Sequence, residues 1–179
     1  MSQPHEPDPV KLISSLFSPK KALLESAITD ICETYGVADW ISPELTFDRT
    51  TYYAREMGWP LHRRFVSFTD LIRPDHLTEI KLKTNQIEQK YLSGKNRMVN
   101  IDPGTISPER LILATGKNYV HRVYLGRGIY ADLTLVFQKG SFRALQWTYP
   151  DYADPEVIGF FNGIREKYML QLRGMKRLD

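Results

Sequence analysis

One cysteine, Cys32, stands among 179 residues. That leaves no intramolecular disulfide and no zinc site built from several thiolates, and a lone thiol fits a reducing compartment. No apolar run approaches the roughly 18 residues that a membrane-spanning helix needs, so no membrane partner is expected. The opening Met1-Ser2-Gln3-Pro4-His5-Glu6-Pro7-Asp8-Pro9 lacks the apolar stretch of a secretion signal, and the expected location is the cytoplasm. Histidines are few and scattered, at 5, 62, 76 and 121, with no His-Glu-x-x-His pair, so no metal centre is expected. A Gly-x-Ser-x-Gly elbow is missing, as is a Gly-x-Gly-x-x-Gly turn after a strand. Gly116-Lys117-Asn118 departs from a phosphate-cradling P-loop: Asn118 stands where a Mg²⁺-binding hydroxyl is needed, and position 111 is Leu. No motif names a cofactor. A large excess of one charge is lacking too. Lys and Arg number 24 against 21 Asp and Glu, a formal net of +3, which permits an anionic partner without demanding one.

What is present is a globular composition, 42% hydrophobic and 25% charged. Residues 1–9, with three prolines, read as an extended lead-in, and 10–179 as a single domain. Val10–Phe17 reads as a central strand. Leu24, Ala27, Ile28, Ile31 and Tyr35 then recur at helical spacing up to the stop at Gly36. Trp40–Phe47 alternates around Pro43, which makes it an edge or broken strand. A short helix is expected over Thr51–Met57, a strand over Arg63–Phe68, and a long helix from Pro74 through Leu77, Ile80, Thr84, Ile87 and Tyr91 to Gly94. Arg97–Ile101 reads as a strand ending in the turn Asp102-Pro103-Gly104, and Glu109–Thr115 as a short helix stopped by Gly116. Tyr119–Leu125 and Ile129–Phe137 form the clearest hairpin, with a three-residue loop that sets Arg122 against Asp132 and Tyr124 against Tyr130. His121, Val123 and Leu125 then fall on an inward apolar face. A strand over Phe142–Trp147 and a helix from Asp154-Pro155 complete the chain. The expected fold is α+β: a mixed, mainly antiparallel sheet with a ferredoxin-like βαββαβ first half, a C-terminal β-meander, and helices packed on the sheet.

The chemistry concentrates between Asn100 and Asp132. Asp102 fits a general base or a metal ligand, but the favoured reading is an aspartate bonded to its own turn. Lys117 and Asn118 fit an anion site, or a helix C-cap. His121 fits an acid/base group, or a hydrogen-bonded core histidine. Arg122 fits a bidentate clamp for phosphate or carboxylate held by Asp132, or a plain cross-strand ion pair. Asn100 and Tyr130 complete the ligand-binding candidates, with Asp102, Asp132, His121 and Glu56 as catalytic ones. Thr50–Gly58, with its hydroxyls and Glu56, is a candidate pocket wall. Arg110, Lys117, Arg122 and Arg127 form one basic run, and Arg165–Arg177 another. If the two converge they could hold RNA or a phosphorylated ligand; otherwise they are solvated charge. The RNA alternative uses the C-terminal run with the arginine–aromatic stretch Trp40–Phe68, which holds Arg49, Arg55, Arg63 and Arg64 and reads more readily as an irregular loop pinned on the core.

Three segments together carry a resemblance: FDRTTYYAREMGWPLHRRFVSF, VNIDPGTISPERLILATGKNYVHRVYLGRGIYADLTLVF and WTYPDY. In this order the chain resembles the prokaryotic family called domain of unknown function 4416, over nearly its whole length. The resemblance assigns no functional residues. Some members carry the label "GTP-binding protein", yet in this chain Lys117-Asn118 lacks the aspartate of a guanine-reading motif, since position 120 is Val. The leading expectation is a binder of a small anionic, phosphate- or nucleotide-like ligand. A hydrolase or transferase and an RNA-associated module stand as alternatives.

Overall fold

The computed structural model describes residues 1–48 and 52–177. In chain order the elements are β1 (Val10–Ser18), α1 (Lys21–Tyr35), β2 (Ala38–Ile41), β3 (Leu45–Thr46), α2 (Ala54–Met57) and β4 (His62–Ile72). A 3-10 turn over Pro74–His76 leads into α3 (Leu77–Gln89), followed by the small hairpin β5 (Leu92–Ser93) and β6 (Asn96–Arg97). Then come β7 (Asn100–Ile106), β8 (Arg110–Thr115), β9 (Arg122–Gly126), β10 (Ile129–Gln138), β11 (Ser141–Ala144) and α4 (Pro155–Met175).

β1 is buried along its whole length because helices cover both of its faces. Leu12 and Leu16 point to one side, where Leu24, Ala27, Ile28 and Ile31 of α1 and Ile80 and Ile87 of α3 meet them. Ile13 points to the other, into the core that Phe161, Ile164, Tyr168 and Leu172 of α4 build with Phe65 and Leu135. The fold is thus α+β, with a large antiparallel sheet between helices. The strand order is β11-β10-β8-β7-β1-β4-β2, with β3 also on β4 and β9 also on β10. Every pairing in this sheet is antiparallel among the described residues, so the expected mixed sheet is corrected. Among the described residues no helix is long and apolar enough to cross a membrane.

α1 and α4 fall where their apolar spacing puts them. Asp154 caps α4 by accepting from the Glu156 N–H at 2.9 Å, with Pro155 in the first turn. The long helix is shorter than expected, because 92–97 turn back as the β5–β6 hairpin through Gly94, at φ 64°. Two expectations are overturned between 102 and 115. Asp102-Pro103-Gly104 is not a turn but the middle of β7, paired to Ser15, Ser14 and Ile13 of β1. Glu109–Thr115 is not a helix: Arg110–Thr115 is β8, which pairs with β7 and β10 at once. A six-residue segment with a strand on each side gains ladder bonds along both edges, which outweighs its modest helical propensity.

The hairpin also differs. Arg122–Asp132 and Tyr124–Tyr130 pair as expected, but Gly126 pairs with Ile129, so the loop is the two residues Arg127-Gly128, and Leu125 is a bulge. Both loop residues have positive φ, 52° and 79°, as a hairpin turn of this length requires. The inward face is the opposite one: Val123 is 68% exposed and Leu125 43%, while Asp132 and Thr134 are buried. β9 and β11 lie end to end on the same edge of β10, since β8 occupies the other.

Candidate functional site

β7 and β8 separate before they reach the end of the sheet. β1 pairs with β7 from Asn100 onward, but β8 joins β7 only at Gly104. The unpaired stretch suits Pro103, which has no N–H to donate. Two side chains of α3 satisfy the orphaned backbone of Ile101: Glu88 Oε1 accepts from its N–H at 2.7 Å, and Lys81 Nζ donates to its carbonyl at 2.8 Å. This explains why both side chains are buried. Burial pushes the Glu88 carboxyl up, against the pull of the Lys81 charge and the Ile101 N–H.

The gap opens into a cavity of about 690 Å³. Asp102 faces it from β7. Its Oδ1 accepts from Lys81 Nζ at 3.0 Å and its Oδ2 from Asn100 Nδ2 at 2.7 Å. Burial raises this carboxyl, but Lys81, the Asn100 amide and the charge of Arg63 outweigh it and hold it below the ordinary aspartate range. Arg97 runs along a neighbouring wall. It grips Glu56 with two bonds of 2.8 and 3.0 Å, Asn100 Oδ1 at 3.0 Å and Glu88 at 3.3 Å. The Arg97 fork draws the Glu56 carboxyl below its usual value.

The opposite wall comes from β9 and β10. Arg122 Nε donates to Asp132 Oδ2 at 2.8 Å, while its two amino groups reach the Lys117 carbonyl at 2.9 Å and the Tyr149 hydroxyl at 2.8 Å. Lys117 stands at the mouth. Its Nζ donates to the Tyr52 hydroxyl at 2.9 Å, which draws that phenol below its usual value, and among the described residues it pairs with no carboxylate. Arg63 closes the interior. It is buried, pairs with Asp151, and lies 3.8 Å from the Phe47 ring centroid. Among the described residues its Nε has no hydrogen-bond partner.

Of the sequence candidates, Asn100, Asp102, Lys117, Asn118, Arg122 and Asp132 all line this one cavity. Glu56, His121 and Tyr130 do not line it. Glu56 stands behind Arg97, engaged by it. His121 sits behind Asp132, 3.4 Å from its Oδ2, stacked on Trp147 at 5.1 Å and 11°. Tyr130 packs on Tyr124. The C-cap role of Lys117 also falls, because a strand precedes it. Within the expected wall Thr50–Gly58, Tyr52 and Tyr53 line the cavity, whereas Thr50 and Thr51 lie outside the described residues. Among the described residues, no group of three or more His, Cys, Asp or Glu is placed to hold a metal ion.

Lys81, Arg97 and Tyr149 were not among the candidates, and Arg63 stood only within the arginine–aromatic stretch, yet two periodicities mark Lys81 and Arg63. Lys81 and Glu88 fall on the buried stripe of α3 with Leu77, Thr84 and Ile87, where a charged residue needs a buried partner. Arg63 shares its strand face with Phe65, two residues on.

An α+β chain whose sheet splays at one end around a polar, tyrosine-walled cavity is the class of protein this fold and site define. The family model of DUF4416, a domain of unknown function, matches residues 8–168, and the chain belongs to that family. No curated protein matches it.

Proposed function

We propose that the chain binds a small anionic ligand, phosphate- or nucleotide-like, in the cavity between Asp102 and Arg122. The observation that carries this reading is Lys117: a cation at the mouth with no carboxylate partner among the described residues, backed by Arg63, Lys81, Arg97 and Arg122 around the same cavity. The volume of about 690 Å³ falls within the range of small-molecule sites. Melting the protein with phosphate and with nucleoside phosphates tests it. A ligand at a hundred times its Kd adds about 2.7 kcal/mol of stability, a rise of several degrees. The rise shrinks or vanishes in Lys117→Ala, an exposed substitution that leaves the unliganded melting point near that of the parent. No rise with any of these compounds ends the reading.

A second reading, a hydrolase or transferase, draws on Asp102 and Asp132 opening on the same cavity. Release of phosphate from a panel of phosphate esters, lost in Asp132→Asn, separates it from simple binding. The RNA reading has no comparable support. Arg165 lies against Phe137 and the Pro108 carbonyl, at the far end of β7 and β8 from the cavity, and Lys176 pairs with Asp8. Arg127 pairs with Glu79, away from Lys117 and Arg122. The finer fold assignment, a ferredoxin-like first half, is supported by the order β7-β1-β4-β2, and a cytoplasmic setting by the lone, unpaired Cys32.

A further inference from the structure

The cavity is not simply a basic hollow. Three carboxylates share its wall with the five cations. Two of them are occupied. Asp132 is 5% exposed and closed over by Arg122 and His121; Asp151 is 15% exposed and paired with Arg63. Asp102 differs, being 31% exposed at its side chain. Lys81 and Asn100 each take one of its oxygens, whereas a carboxylate offers about four acceptor positions. Two are therefore left on a side chain that lines the cavity. A bare anion drawn in by Lys117 meets repulsion there, and inorganic phosphate fills only a small part of about 690 Å³. A ligand that carries its anionic group at one end and hydroxyl donors at the other satisfies both walls. Vicinal hydroxyls match the two oxygens of a carboxylate, and the rings of Tyr52 and Tyr53 give the carbon skeleton a surface to lie against.

Resting on the anionic-ligand reading above, we infer that this cavity takes the phosphate monoester of a polyol, its phosphate beside Lys117 and its hydroxyls on Asp102. Sugar phosphates and the ribose phosphate of a nucleotide share this chemistry. Titration calorimetry on the full chain tests it with orthophosphate, ribose, ribose 5-phosphate and a nucleoside 5′-monophosphate. Ribose 5-phosphate binds at least tenfold tighter than orthophosphate. Asp102→Asn removes most of that preference without weakening orthophosphate, whose repulsion it relieves, and Lys117→Ala weakens both anions alike. Equal binding of ribose 5-phosphate and the nucleoside monophosphate identifies a sugar phosphate as the ligand, and tighter binding of the latter a nucleotide; both support the inference. A ratio below tenfold in the unsubstituted protein, or an Asp102→Asn variant that keeps the full preference, overturns it while the anionic-ligand reading stands. If no anion binds, both fall together. Where Asp102→Asn fails to fold, having deprived Lys81 of its counter-charge, the ratio in the unsubstituted protein decides alone.

Discussion

A Cβ built on Gly104 would overlap the Ile112 carbonyl oxygen and stand 2.8 Å from Leu113 Cδ2. The glycine is there because β8 approaches β7 closely at the point where the two strands join, not because the chain turns. Its φ is not in the left-handed region, so the cost of a side chain is steric alone. Gly104→Ala is expected to destabilise the protein by about 2 kcal/mol, since backbone rather than a flexible side chain must move. The check is a lower urea midpoint at unchanged slope. The same residue shows why this stretch misleads a reader of sequence. Asp-Pro-Gly carries every local mark of a turn, and only the proximity of Ile112 and Leu113, which no local pattern encodes, explains it as strand. Arg63 and Lys81 were legible in principle, since both sit at positions whose periodicity assigns them to the interior. What was not legible is the identity of their partners. Asp151 lies far along the chain from Arg63, and Asp102 lies 21 residues from Lys81.

At the scale of elements, the strands and helices with a full apolar stripe were readable, and those held by neighbours were not. β8 is short and owes its form to two flanking strands. β9 begins at Arg122 rather than Tyr119, and beyond its end the free edge of β10 is closed by side chains: Trp147 Nε1 donates to the Leu133 carbonyl at 2.8 Å and Thr148 Oγ1 to that of Thr134 at 2.6 Å. A buried pair joins four elements on the other side of the sheet. Lys11 of β1, fully buried, donates to Asp39 of β2 at 2.5 Å and to Gln171 of α4 at 2.9 Å, while Ser67 of β4 donates to Asp39 at 2.5 Å. Burial raises the Asp39 carboxyl, but the bonds from Lys11 and Ser67 and the charges of Lys11 and Lys167 outweigh it, and the net direction is downward. A carboxyl lowered on folding contributes stability that is present above its unfolded value of about 3.9 and is lost as pH falls through the folded value. Asp39→Ala strands a buried ammonium and is expected to cost about 3–5 kcal/mol at neutral pH. Urea unfolding from pH 6 to pH 2 checks the sign: the gap between parent and variant is widest at the top of this range and narrows below about pH 4. A gap that widens on acidification contradicts it.

For the whole molecule, the cavity is a consequence of topology. The sheet can close around β1 and still leave β7 and β8 apart at one end, because α3 supplies Lys81 and Glu88 to the backbone that β8 abandons. The walls therefore come from β1, β4, α3, β6, β7, β8, β9, β10, the 116–119 segment and the segments before α2 and α4. Such a site is legible in sequence only as fragments. Asn100, Asp102, Lys117 and Arg122 stood out because they cluster near strand ends, whereas their relation to Tyr52 and Arg63 exists only once the chain has folded. One wall rests on a small apolar cluster of its own, Met57 with Phe17, Phe47 and Leu61. α2 has a single turn, too short to hold itself in water, and its Glu56 is tied to the rest of the molecule by the two-pronged bond from Arg97 of β6. Tyr52 to Lys117 at the mouth is a further polar tie in this region. The α2 turn is thus expected to open independently of the core. Glu56→Gln keeps the shape of the side chain but loses the charge that Arg97 grips, and it leaves β1, α1 and α4 untouched. Amide exchange at Met57 and Gly58, whose N–H groups bond the Tyr53 and Ala54 carbonyls at 2.8 and 3.0 Å, should accelerate by about tenfold, the effect of losing roughly 1.4 kcal/mol of local stability. Exchange in β1 should stay at the rate set by global unfolding. If Met57 and β1 accelerate together, α2 belongs to the cooperative core, and the Tyr52–Tyr53 wall that precedes it is as rigid as the sheet.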